Sequence, residues 1–478
     1  MRPSKRRHLG SLTARLPKVD ARDIFGLAKA AKPSAPYESE FAPRDYVAFL
    51  LHVDAEIEHG LMVQYLYAAY SLGGPQVPPE HRERVRGWQE IILGIAKEEM
   101  GHLICIQNVL RLIGAPLNLA RDDYPWDVPF YPFPFTLERL TLDSLAKYVY
   151  AESPQDWSGP LADEIRARVE ASTPNPHRVS ELFALMIQLV SDPDYIPDSA
   201  FQATTYPFQA SWDEWGRGYQ GGQRGNLQGV NPAQAPDVLV LPLASRDDAV
   251  AALQQIAEQG EATHSSDPEG PSHFARFLNI YVQMRDLAEQ GWSPSRPVAT
   301  NPYVSLDPTL DPAQDLEVDA VTRPITDPQA RLWASLHNLR YRMLLAYLTH
   351  SFTLYGGLSA AGTHSPRGAI INATFGEMYN LRAIAEILMD LPLGPDHPDI
   401  LAGPPFQMPY TLDSPLGESN RWRLHLDLIT AAEPLIQSLL KIAPPSRHAY
   451  LHALREADAR MAAIAGRILA GHVNLALT

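Results

Sequence analysis

Two stretches of this chain place acids and a histidine on positions that should be apolar. In the first, Leu51, Ala55, Glu58, Met62, Tyr65, Ala69 and Leu72 follow one another by steps of four and three. In the second, Trp88, Ile92, Ile95, Glu99, His102, Ile106, Val109 and Ile113 obey the same rule. Such spacing marks the inward stripe of bundled helices, so Glu58, Glu99 and His102 point into a core. A bare buried carboxylate is costly and has to be protonated, paired or bound to metal. With three such groups at mid-helix, one pair spaced Glu-x-x-His, metal is the leading answer. An arginine or lysine on the first-half stripes would instead mark a salt-bridged, non-catalytic scaffold, and neither occurs there.

Other helices complete the set. A third, about 245–263, ends in Glu258-Gln259-Gly260-Glu261-Ala262-Thr263-His264; a fourth, about 271–290, carries the stripe His273, Phe277, Ile280, Met284, Leu287. With Glu261 and His273 the constellation becomes Glu, Glu-x-x-His, Glu and His from four helices, close to the di-iron or di-manganese carboxylate arrangement. Carboxylate and imidazole without thiolate favour iron or manganese over zinc. The carboxylate expected three residues before the last histidine is missing, since Gly270 stands there. Glu269 or Asp267 in the loop are the substitutes at hand; without them one ion is under-coordinated or the site holds a single metal. Tyr65, on the Glu58 face, suits either core packing or a redox-active phenol beside an oxidising metal. Glu56 and Glu98 lie off the stripes, as solvated groups or as supports behind the ligands.

The helices that must position these groups are legible from their punctuation. The first starts near Pro43, a residue suited to a first turn, and stops at Gly73-Gly74. Pro78-Pro79 opens the second, which ends at Gly114-Ala115-Pro116. Residues 117–140 have no helical period and interleave aromatics with prolines, a segment expected to wrap over the bundle. Shorter helices are predicted at 143–151, 160–171 and 177–190. Residues 192–236 form a long loop, functional or disordered by its length, whose aromatics suggest a cover over a pocket. Asp237–Leu243 reads as a short strand that Pro242 restricts to an edge. The Pro/Asp-rich segment 293–327 is the best boundary in the chain, and four more helices follow near 328–355, 366–391, 418–441 and 446–472. The fold class is all-α: an N-terminal arm (1–40), a metal-binding bundle (41–292), a linker (293–327) and a second helical bundle (328–478).

The later helices echo the first pair. Tyr65-Leu66 through Leu72 aligns with Tyr347-Leu348 through Leu354, each followed by Gly-Gly (73–74 and 356–357). Glu99-Met100-Gly101-His102-Leu103 aligns with Glu377-Met378-Tyr379-Asn380-Leu381. In this frame Glu58 falls on Arg340, Glu99 on Glu377 and His102 on Asn380. The second half reads as a duplicated bundle that has lost its metal, with Arg340 neutralising Glu377. Whether that half pairs two copies into a homodimer or only buttresses the first is open at this level.

Composition limits the partners. The 478-residue chain is 45% hydrophobic, with a formal charge of −15. That balance argues against nucleic acid or an anionic membrane, which need a basic face. No apolar run reaches ~18 residues, the length of a membrane span, and the N-terminus lacks the apolar region of a secretory signal. The lone cysteine, Cys105, excludes an internal disulfide, reads as a small thiol flanking the core, and fits a reducing cytoplasm.

At the metal motifs the chain resembles a known family. Glu58-His59, the run Gln64-Tyr65-Leu66-Tyr67-Ala68-Ala69-Tyr70-Ser71-Leu72, Glu98-Glu99-Met100-x-His102-Leu103, Gln259-Gly260-Glu261 and Ser272-His273-Phe274-x-Arg276-Phe277 are similar to the VioB-type ferritin-like domain. That domain is the N-terminal part of the iminophenyl-pyruvate dimer synthases of violacein and rebeccamycin biosynthesis. The similarity covers roughly 43–290 and implies a ferritin-like four-helix bundle with an iron-dependent oxidative role in secondary metabolism. It carries ligand roles to Glu58, Glu99, His102, Glu261 and His273, and to no sixth position. Those synthases couple imines of aromatic amino acids but are far longer than this chain, so their whole activity is not implied. The expectation is a non-haem iron oxidoreductase taking O2 or peroxide and a small organic substrate. The rival is a ferroxidase or peroxide-handling protein without one.

Overall fold

Proline at a helix's first turn gives up an N–H that would have no partner anyway, and Pro43 opens α1 (Pro43–Ser71) in this way. In this computed structural model the described residues are 42–121, 131–173, 176–215, 240–261, 272–287, 291–304, 323–355, 365–409 and 411–471. A 3-10 turn, Pro79–His81, leads into α2 (Arg82–Leu112). Beyond α2, Gly114 takes φ +68, and the Ala115 and Gly114 amides donate to Leu110 and Arg111. This glycine closure satisfies carbonyls that the helix end would otherwise orphan. Thr141 and Ser144 cap each other's backbone at the start of α3 (Leu142–Ala151). Then come α4 (Pro160–Glu170), α5 (Val179–Ser191), the single turn α6 (Trp212–Trp215), α7 (Arg246–Glu261) and α8 (His273–Leu287).

After a two-residue parallel pairing of β1 (Pro302–Tyr303) with β2 (Arg323–Pro324), α9 (Pro328–Ser351) starts at an Asp327 cap and α10 (Pro366–Leu388) at a Ser365 cap. The chain ends in α11 (Glu418–Ile442) and α12 (His448–Leu469). Apart from these two short strands, the named elements among the described residues are all helices, as the periodicity predicted.

Pairing of these helices follows their apolar faces. Helix α1 lies along α2 and touches α5, α3 packs on α8, and α7 packs on both α5 and α8; α9 sits between α10 and α11, and α11 packs on α12. Every stripe position of α2 is buried, and on α1 only Met62 is partly open. The largest apolar cluster does not stop at residue 292: Tyr341, Leu344, Leu348, Phe352, Leu381, Ala385 and Phe406 belong to it. Two smaller clusters serve the later helices. No described helix is long and apolar enough to cross a membrane.

One expectation needs correction, that of the short edge strand. Residues 240–243, the described part of the predicted edge strand, are not a strand. Side-chain amides replace the ladder there: Gln209 bonds both the N–H (2.6 Å) and the C=O (2.9 Å) of Leu243, and Asn108 donates to the Leu241 carbonyl. The described part of the long loop 192–236 is ordered by 3-10 turns at Asp198–Ala200 and Ala203–Phe208 before α6. Its Trp215 is buried against Phe375. Tyr131, Phe133 and Phe135, from the segment expected to wrap over the bundle, are likewise buried in the apolar core. The arm 1–40 and the second Gly-Gly at 356–357 lie outside the described residues.

Candidate metal centre

Four helices deliver five ionisable side chains to one interior point. Glu58 comes from mid-α1; Glu99 and His102, one turn apart on one face, from mid-α2; His273 opens α8; and Glu152 caps the C-terminus of α3. All five are at most 4% exposed. The two oxygens of Glu99 face two histidines, Oε2 at 3.0 Å from His102 Nδ1 and Oε1 at 2.9 Å from His273 Nδ1. Glu58 Oε2 stands 3.4 Å from His102 Nδ1, and Glu152 Oε2 3.7 Å from His273 Nδ1. Two trios result, Glu58/Glu99/His102 and Glu99/Glu152/His273, each with its ligand atoms within 4.8 Å of one another and Glu99 common to both.

The outer nitrogens of both imidazoles are spoken for. His273 Nε2 bonds Glu98 Oε2 at 2.8 Å, and Glu98 is also paired with Arg276. His102 Nε2 bonds Gln259 Oε1 at 2.9 Å on α7. Acceptors on both Nε2 atoms fix the N–H there and turn the Nδ1 lone pairs inward, the usual support of a metal-bound histidine. Glu98, off the stripe, is therefore no solvated residue but holds His273. Glu56 is also buried, accepting from Asn118 Nδ2 at 3.0 Å.

Electrostatics argue that these groups belong with a cation. Burial, then the charge of Glu99, pushes the Glu58 carboxyl well up; burial also raises Asp54, one turn earlier on α1. Burial and Glu99 raise Glu152. Burial opposes the charge of Glu99 itself, but His273 and His102 outweigh it and hold that carboxyl well below its ordinary range. Glu58 Oε2, Glu99 Oε1, His273 Nδ1 and both Asp54 oxygens are buried without hydrogen-bond partners. Burial disfavours a charge on His273, but Glu99, with the bonds to Glu152 and Glu98, outweighs it and raises that imidazole; a bound cation would take the place of the protons these groups otherwise hold and inverts the local pKa logic. The donor set of carboxylates and imidazoles fits iron or manganese.

Of the ligands expected from the sequence, the structure brings Glu58, Glu99, His102 and His273 to one point. Sequence reasoning missed Glu152. Glu261 is the last residue of α7 and its side chain lies outside what is described, as does Glu269 altogether. A signal for Glu152 existed: Leu145, Val149 and Glu152 continue the four-and-three step, but Pro154 two residues later makes Glu152 look like a helix end. Tyr65 donates its O–H to Glu152 Oε1 at 2.5 Å, with its ring between Tyr148 and Phe277.

The space beside the cluster is about 10 Å³, walled by Val179 and Phe183 of α5 and Ile256, Ala257 and Gly260 of α7. That is room for one water-sized molecule. None of the described residues of 131–135 or 201–215 lines it; residues 124–130 and 216–219 of the expected aromatic cover lie outside the described residues. Cys105 is fully buried in the core, and burial pushes its thiol up to about 11.

Residues 51–282 match the family model described as Ferritin-like. Among curated proteins the chain is 28% identical over 402 residues to dichlorochromopyrrolate synthase of Lentzea aerocolonigenes, spanning 76% of this chain and 36% of that protein. It is 23% identical over 436 residues to 2-imino-3-(indol-3-yl)propanoate dimerase of Chromobacterium violaceum, spanning 84% of this chain and 38% of that protein. The chain thus matches little more than a third of the length of these relatives. A solved ferritin-like protein from Caulobacter vibrioides shares 16% identity at a TM-score of 0.41, covering 72% of this chain and 96% of that one.

Proposed function

We propose that the chain, whose residues 51–282 match the Ferritin-like family model, is a non-haem iron oxidoreductase. It takes O2 or peroxide together with a small, amino-acid-derived aromatic substrate, in secondary metabolism. The relatives' names, one for a chromopyrrolate that is made and one for an indole imine that is dimerised, support the substrate class. The observation that carries the reading is Glu99, whose two oxygens face the two inward histidine nitrogens at 3.0 and 2.9 Å. A carboxylate so placed suits a pair of ions.

Glu58, Glu99, His102, Glu152 and His273 would hold the metal, and iron, when bound, supplies the activation of O2 or peroxide that side chains cannot. The chain's own residues do the rest. Glu98 and Gln259 keep the two imidazoles oriented. Val179, Phe183, Ile256 and Ala257 exclude bulk water from the cluster. Tyr65 keeps a phenolic proton at Glu152 Oε1, a group placed to give or take a hydrogen beside the site. With about 10 Å³ free, an aromatic substrate reaches the cluster only when α5 or α7 yields, a gating step of the kind that limits many enzymes.

The same tightness favours one second reading, in which peroxide or ferrous iron is itself the substrate. Metal analysis and iron-edge anomalous scattering on protein purified without added iron test the common premise, with two ions per chain expected. An unoccupied or zinc-filled site overturns it. Oxidant consumption with and without 2-imino-3-(indol-3-yl)propanoate then separates the readings. Consumption that is unaffected by the imine removes the first.

A further inference from the structure

Arginines gather where α1 ends and α2 begins, at the far end of these helices from the metal cluster. Gln89, beside this spot, and Glu99 are ten residues apart on α2, about 15 Å at the helical rise. A cleft of 370 Å³ there is lined by Arg82, Arg86, Arg296 and Arg447, with Glu386 and Asp390 as its carboxylates. Both acids are already engaged: Arg382, from outside the cleft, donates to Glu386 at 3.1 Å, and Arg296 to Asp390 at 3.2 Å. The side chains of Arg86 and Arg447 have no partner among the described residues, and Arg82 makes a long bond to the Val77 carbonyl, at 3.4 Å. In a chain of net charge −15, this is a concave spot with cationic charge left uncompensated.

The backbone is shaped to hold it so. Gly73 and Gly74 take φ +93 and +103, and a Cβ on Gly74 would come within 2.9 Å of Arg296 Cγ. The glycines admit Arg296, whose Nη1 donates to the Leu72 carbonyl at 2.5 Å, pinning its guanidinium as a floor. Like charges gathered in a concave site raise the local anion concentration, and a guanidinium fork matches carboxylate and phosphate oxygens in pairs.

We infer that this cleft is a binding site for a small organic anion bearing at least two negative charges, a phosphate monoester or a dicarboxylate. Its walls come from α2, the segment after α8, α10 and the start of α12, so the bound anion ties the two halves of the chain together. The inference is independent of the metal reading, and either can fail alone.

Full-length protein is titrated with sodium phosphate and, separately, sodium succinate at constant ionic strength, followed by calorimetry and thermal unfolding. Saturable binding of at least one anion is expected, with a Tm that rises with its concentration. R86Q/R447Q weakens that binding by about tenfold or more, about 1.4 kcal/mol, while metal content and the Tm in anion-free buffer stay unchanged. R84Q/R467Q removes the same charge from exposed positions outside the cleft and leaves the affinity within about twofold. Absence of saturable binding by both anions, or equal weakening by the two double variants, overturns the inference. A preference for phosphate or for succinate tells which anion class the cleft takes.

Discussion

Glu99 is the side chain on which both halves of the cluster depend, because each of its oxygens faces a different histidine. Replacing one oxygen with an amide takes away the shared charge and one acceptor at once. E99Q is therefore expected to lose both ions, whereas E58Q and E152Q, each confined to one trio, lose about half the metal. Elemental analysis of the three variants checks this, and a full complement in E99Q rules out the shared-ligand geometry. Elsewhere, His337 is fully buried with both ring nitrogens lacking partners and its ring edge-on to Phe406. Burial pushes its imidazole down to about 3. The native ring is neutral, while the unfolded chain takes up a proton near pH 6.5, so the unfolded state binds more protons between those values. Stability from this residue is present above about pH 6.5 and is lost as pH falls toward 3, amounting to about 2 kcal/mol by pH 5. H337L abolishes that component: denaturant melts at pH 8 and pH 5 should differ less than in the unaltered protein by about this amount. An unchanged difference excludes a neutral buried His337.

At the scale of elements, α9 packs along α10 as α1 does along α2, here with a cation built in. Arg340 is fully buried, donating to Glu377 at 3.1 Å and in a fork to Asp458 of α12 at 2.6 and 2.5 Å, while Asn380 donates to Glu377 at 3.2 Å. The aligned positions thus carry Arg for Glu58 and Asn for His102, and the guanidinium stands where a metal would be needed between acids. Breaking such a pair leaves buried charge without compensation. R340M is expected to cost about 3–5 kcal/mol, and R340M/E377L/D458L to regain most of it, since apolar replacement of a whole buried triad is often neutral. Urea unfolding decides: a loss under about 1 kcal/mol for R340M means the arginine is dispensable.

At the scale of the molecule, the two halves are stitched by buried polar bonds as well as by a common apolar core. His59 bonds the Tyr341 hydroxyl, Arg121 donates to the Phe406 carbonyl, and Arg367 pairs with Glu214 at 2.7 Å while donating to the Gln209 carbonyl. Separating the halves would strand these groups without partners and open the cluster that contains Leu344, Leu381 and Phe406. The whole chain is expected to unfold in one calorimetric transition, with calorimetric and van't Hoff enthalpies in agreement. Two resolved transitions would instead show that residues before and after the 293–327 segment are independent domains.

Local periodicity was enough to declare an all-helical chain and to put Glu58, Glu99 and His102 inside it. The step of three and four residues decides which face of a helix is buried, whatever that helix meets. The same rule exposed the Arg340–Glu377 pair. What lay beyond it depended on contacts between positions far apart in sequence: Glu152 arriving from the end of α3, Asp458 closing on Arg340 from α12, and α5 and α7 walling the cluster. A helix end or a covering wall has no period of its own. Its role is set by what packs against it, and only the folded chain determines that.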